Sequence, residues 1–223
     1  MRNEFDEFAD SYDKTLKAAL PAGLDEDQYF ASYKIDFLAA ATRNRNVGSI
    51  LDFGCGAGRS LEYLTHAFPR AAIHGYDPSA ESIRLASQRV STAKLTTQWP
   101  DVEQQAFDVV FVANVFHHIP RNEISTWLAR CGKTLAPQGK IFVFEHNPFN
   151  PVTRYVFERC PFDVDAKMIP RKELIAMGCG AGLTIASTRY TLFFPKPVKF
   201  LRPLERWMGW LPIGAQYCVE FGV

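Results

Sequence analysis

Gly54-x-Gly56-x-Gly58 follows directly on the apolar run Ile50–Phe53 and leads into a helical pattern beginning at Ser60. No other stretch constrains this chain as much. The run reads as a buried strand, so the segment is a strand, a tight turn and a helix start. The glycines let the backbone turn sharply and let a ligand approach with no Cβ in the way. The free N–H groups of the following helix then face whatever polar group arrives.

The spacing decides which ligand. A dinucleotide fingerprint needs Gly-x-Gly-x-x-Gly, but Arg59 stands three residues after Gly56 and the third glycine is missing. The acidic residue expected after the second strand is present as Asp77, in His74-Gly75-Tyr76-Asp77-Pro78. A carboxylate there accepts hydrogen bonds from ribose hydroxyls. Asp52-x-Gly-x-Gly-x-Gly together with Asp77 resembles the class I S-adenosylmethionine (SAM)-dependent methyltransferases. The resemblance implies an α/β fold: a doubly wound, seven-stranded Rossmann-like sheet in the order 3-2-1-4-5-7-6, strand seven antiparallel, helices on both faces. It also implies SAM as cofactor and S-adenosylhomocysteine (SAH) as product, with Asp52, Gly54, Cys55, Gly56, Asp77 and Pro78 in the cofactor site. Two rivals remain. An NAD-dependent oxidoreductase shares the fold, although the missing glycine counts against it, and a non-catalytic SAM-binding protein would keep the same residues.

At 223 residues the chain suits one domain, large enough to bury roughly 70% of its unfolded surface. A net charge of +1 argues against a nucleic-acid footprint over the whole surface. Cys55, Cys131, Cys160, Cys179 and Cys218 are odd in number and scattered, without a C-x-x-C pair. That usage fits a reducing cytoplasm rather than disulfides or zinc. The acidic start MRNEFDEFADSYDK has no apolar core and reads as no signal peptide. No run approaches the roughly 18 apolar residues of a spanning helix.

Residues 1–47 read as a helical cap ahead of the sheet. The stretch Phe5–Asp13 resembles the N-terminal cap of small-molecule methyltransferases, which implies a lid with Tyr12 near cofactor or acceptor. A second helix, 28–41, carries Tyr29, Tyr33, Phe37 and Ala40 on one face, with Lys34 off that face and solvated. Ser79 is the N-cap of the helix after Asp77. The family pattern asks for an acidic residue after the third strand to hold the adenine amino group. Here the loop reads Thr97-Gln98-Trp99-Pro100-Asp101, so Gln98 as acceptor, Trp99 as stacking partner and Asp101 as the acid all stay open.

Phe107–Val112 is nearly all apolar, as a strand covered on both faces must be. It runs into Ala113-Asn114-Val115-Phe116-His117-His118, which closely resembles the family motif beside the methionine part of SAM, and this puts Ala113 and Asn114 in the cofactor site. The twin histidines invite a metal site or a general base. Adjacent residues lack the spacing of a helical ligand pair and no third ligand is evident, so no metal is expected. A base is open to either, since imidazole titrates near neutral pH.

The acceptor side should follow strands four and five. Glu145 and His146 are candidate bases, while Arg154, with its guanidinium fork, and Tyr155 are candidate acceptor contacts. Residues 147–169 and 195–214 read as insertions on that side. Residues 196–206 carry a net charge of +3 interleaved with aromatics. Peripheral membrane contact through 196–211, an acceptor lid and a dimer contact all fit that composition. The reaction this points to is methyl transfer to oxygen of a small or lipid-linked acceptor, by a monomer or homodimer with no nucleic-acid partner.

Overall fold

A computed structural model describes residues 27–160 and 163–223. It contains one seven-stranded sheet in the order β3-β2-β1-β4-β5-β7-β6, made of β1 (Ser49–Phe53), β2 (Ala72–Tyr76), β3 (Lys94–Thr96), β4 (Phe107–Ala113), β5 (Leu135–His146), β6 (Thr184–Thr191) and β7 (Gln216–Gly222). The first five strands pair in parallel; β7 lies antiparallel between β5 and β6. This is the expected class I sheet.

Burial follows the connections. A parallel strand reached by crossover helices is covered on both faces, and β4 accordingly buries Val109, Val110, Phe111 and Val112 completely. Two apolar layers result, one on each side of the sheet: Leu51, Val110, Val143 and Tyr217 in one, Ile50, Phe111, Phe142 and Leu64 in the other. The helices are α1 (Asp27–Thr42), α2 (Arg59–Ala67), α3 (Ala80–Arg89), α4 (Trp99–Glu103), α5 (Arg121–Lys133), α6 (Pro151–Phe157), α7 (Arg171–Gly180) and α8 (Glu205–Met208), with 3-10 turns at Phe116–His118 and Lys196–Leu204. Ser79 caps α3 as expected, accepting from the Ser82 N–H at 3.0 Å. No helix among the described residues is long and apolar enough to cross a membrane.

Three local readings change. The buried face of α1 is Lys34, Ile35 and Leu38 rather than the Tyr29–Tyr33–Phe37 face, because the helix is rotated to lay Ile35 and Leu38 on the layer around Ile50. Residues 99–103 are a helix, with Pro100 in its first turn where a missing N–H costs nothing. Residues 151–157 are another: Asn150 accepts from the Thr153 N–H at 2.8 Å as N-cap and Pro151 opens the first turn. Gly178 and Gly180 lie inside α7. Gly178 is there for close approach, since a Cβ would stand 2.3 Å from the Phe221 ring; the left-handed turn after the helix is Gly182, at φ 85°.

Candidate active site

β1 is followed by three left-handed glycines at alternate positions, at φ 74°, 50° and 82° for Gly54, Gly56 and Gly58. They serve different ends. A Cβ on Gly54 would strike Val115 at 2.5 Å and one on Gly58 would meet Ala86 at 3.0 Å, but one on Gly56 would meet nothing within 4 Å. Gly56 therefore keeps open the space that a ligand enters. Asp77 holds the loop in shape: its carboxylate accepts from the Gly56 N–H and the Ser79 N–H, both at 2.9 Å.

That turn forms one wall of a cavity of about 580 Å³. The cavity runs from Tyr76, Asp77 and Pro78, past Gly54–Ala57, Ala113 and Asn114, to His117, His118, His146, Phe157 and Asp163. Asn114 sits at φ 58°, a left-handed position for a residue with a side chain, at the strand end facing the cavity.

Two buried ionisable groups flank the glycine turn. Asp52 is almost fully buried with its Oδ2 lacking a hydrogen-bond partner. Burial, then the nearby Asp77 charge, push its pKa up to about 8 against the pull of Lys34. Lys34 is buried and lines the cavity. Burial brings its pKa down to about 8, opposed by Glu145. The sequence reading placed this lysine in solvent; its spacing from Ala31 and Leu38 on α1 was the available signal.

At the far end five titratable groups converge. Glu145, fully buried on β5, accepts from the Phe116 and Val115 N–H groups at 2.7 and 3.1 Å through Oε1, and meets His117 Nδ1 at 2.6 Å through Oε2. Burial disfavours charge on His117, yet Glu145 and Asp163 outweigh it and raise its pKa to about 9. Burial and the His117 charge bring His118 down to about 4 and His146 to about 3. Asp163 reaches in from the segment after α6, its Oδ1 3.5 Å from Nε2 of both His117 and His118. Its role in this group was not anticipated.

Other expected site residues fall elsewhere. Trp99 does not line the cavity. It is buried in an aromatic cluster with Phe53, Tyr76 and Trp127, and its Nε1–H donates to Glu103 at 2.5 Å. Trp127, on α5, lines the cavity in its stead. Gln98 and Asp101 are exposed and outside the lining, with Asp101 accepting from Thr96 at 2.7 Å. Arg154 is exposed, 3.6 Å from Glu158, and Tyr155 is stacked beneath Arg159; neither lines the cavity, because α6 turns Val152, Thr153, Val156 and Phe157 inward instead. Tyr12 lies outside the described residues. The 195–214 segment contributes nothing to the lining. It is tied to α1 by Arg202 over the Tyr29 ring at 3.5 Å, and Glu205 beneath it accepts from the Phe193 and Phe194 N–H groups.

Comparison with known proteins agrees with this geometry. Residues 51–141 match the family model described as a methyltransferase domain. A malonyl-[acyl-carrier protein] O-methyltransferase from Bacillus cytotoxicus is 30% identical over 124 residues, 53% of this chain and 42% of that protein. A trans-aconitate 2-methyltransferase from Rhodopseudomonas palustris is 36% identical over 78 residues, 32% of this chain and 28% of that protein. The chain thus spans less than half the length of these two relatives. The crystal structure of magnesium protoporphyrin IX methyltransferase from Synechocystis PCC 6803 with bound SAM superposes with a TM-score of 0.63 at 16% identity, over 97% of this chain and 93% of that one. At that identity the likeness concerns the fold.

Proposed function

We propose that this chain, whose residues 51–141 match a methyltransferase-domain family model, is a class I SAM-dependent methyltransferase that moves the methyl group of SAM to an oxygen of a small or lipid-linked acceptor held at the histidine end of the cavity. One observation carries the reading: the order of chemistry along a single cavity. Asp77 stands where ribose hydroxyls need an acceptor. The Lys34 ammonium lines the cavity beside the glycine turn, with Asp52 buried behind it. A cation there suits the carboxylate at the amino-acid end of SAM, which a nicotinamide dinucleotide lacks. The imidazoles lie beyond, where the methyl group would point.

Methyl transfer asks the protein mainly for alignment and exclusion of water. SAM bound at the glycine turn would supply the methyl group: an O–C bond would form to the acceptor oxygen, the C–S bond would break, and its electron pair would stay on the sulfur of SAH. A hydroxyl acceptor also loses a proton. Glu145 is spent on two backbone N–H groups and His117, and His117 keeps its own proton. His146, held neutral, is left to take it.

Calorimetry with SAM, SAH and NAD tests the cofactor assignment. Binding of SAM and SAH, weakened at least about tenfold in Asp77→Asn through loss of charge-assisted hydrogen bonding, is the expected result. NAD binding without SAM binding would overturn it.

A further inference from the structure

His117, His118 and Asp163 each present one ligand atom to a common point, all three within 4.8 Å of one another. We propose that this point is a divalent-metal site, suited to zinc, at the acceptor end of the cavity.

The spacing is the first argument. Asp163 Oδ1 lies 3.5 Å from His117 Nε2 and 3.5 Å from His118 Nε2. That is long for a hydrogen bond, whose donor–acceptor distance is about 2.7–3.2 Å. Ligand atoms about 2.0–2.2 Å from a tetrahedral zinc stand roughly 3.3–3.6 Å apart. Two of the three edges thus already have the length a bound ion would impose. The separation of the residues in sequence does not matter here, because the 3-10 turn at Phe116–His118 brings the two adjacent rings together, tilted, with centroids 4.1 Å apart.

Support around the ligands is the second argument. A metal-bound histidine characteristically donates its other ring N–H to a carboxylate, which fixes the tautomer and leaves the remaining nitrogen free to ligate. His117 Nδ1 meets Glu145 Oε2 at 2.6 Å. Glu145 is itself pinned by the Val115 and Phe116 N–H groups, on the same turn that carries both histidines.

The third argument is access. All three residues line the cavity, so an ion held between them would be within reach of a ligand in it. Three protein ligands with one open position is the pattern of catalytic rather than structural zinc. As a Lewis acid the ion would hold the acceptor oxygen and lower the pKa of its proton, next to His146, which lines the cavity beside His117 at a ring-centroid distance of 5.1 Å. Metal binding stands on these side chains alone; the acceptor role rests on the methyltransferase reading above.

Zinc chloride titrated into the untagged, metal-stripped chain, with SAH titrated into the same samples, separates the two claims. The site requires one zinc per chain at micromolar Kd or tighter, weakened at least about 100-fold in His118→Ala and Asp163→Ala and about 10–100-fold in Glu145→Gln, while SAH affinity persists and shows that the variants are folded. No stoichiometric zinc in the wild type, or zinc binding indifferent to His118→Ala and Asp163→Ala, overturns the site even if SAH binds. Zinc binding without SAH binding instead keeps the site and removes the methyltransferase reading. Cobalt substitution in the wild type needs no variant to fold. Visible d–d bands without thiolate charge transfer support nitrogen and oxygen ligands. Strong thiolate charge transfer would move the ion to a cysteine such as Cys160 or Cys179 and sink the proposal.

Discussion

The two ends of the cavity are built in opposite ways. The cofactor end is made of backbone and near neighbours in sequence: three glycines within five residues, and an aspartate that bonds Ser79 two residues on and Gly56 across one strand pairing. The acceptor end is made of side chains from three separate places: the turn after β4, the last residues of β5, and a segment beyond α6. A site written in backbone geometry tolerates few residue types and leaves a motif. A site written in side-chain convergence leaves none until the chain is folded.

Substitutions can break that contrast, and the largest effect is expected at Trp99. If it is a wall of the aromatic cluster rather than a cofactor contact, Trp99→Ala costs about 3–5 kcal/mol of stability and leaves the SAH Kd of the folded fraction unchanged. Urea denaturation beside calorimetry reads both. A Kd that collapses while stability holds would return Trp99 to the cofactor site.

The acceptor end should titrate. The metal-free His117 has a folded pKa of about 9, above its ordinary value. Its contribution is therefore fully present below about pH 6.5 and is lost as pH rises through about 9. Over that window the wild type should lose about 3 kcal/mol relative to Glu145→Gln, which lacks the ion pair. Parallel pH profiles for the two proteins would show that the pair does not hold this end together.

Within the cofactor end the glycines should split. Gly58→Ala forces a left-handed alanine, at about 1–2 kcal/mol, and crowds Ala86 as well, so its melting temperature should fall the more. Gly56→Ala carries the same backbone strain into open space. Its loss should appear chiefly as weaker SAH binding. Equal effects on stability and on binding in both variants would erase the distinction. The smallest effect belongs to Arg154→Ala. This exposed residue, paired only loosely with Glu158, should change stability by less than about 0.5 kcal/mol and leave the acceptor KM alone. A strong rise in KM would put the guanidinium back into the acceptor site.

The sequence by itself determined the strand–turn–helix at Ile50–Ser60, the acid at Asp77, the Ser79 cap and, through the resemblance, the sheet order that the fold bears out. These rest on interactions a few residues long: φ angles that glycine adopts without strain, a hydroxyl reaching the N–H three residues on, apolar runs that only a doubly covered strand can bury. Asn150-Pro151 carried a legible helix start of the same local kind. The tertiary structure alone decided that Lys34 is buried beside the glycine turn, that Trp99 belongs to the core, that Arg154 faces water, and that Asp163 joins His117 and His118. The charge state of each histidine follows from groups up to several dozen residues away, because desolvation and Coulomb interactions sum over neighbours in space, and neighbours in space are what folding supplies.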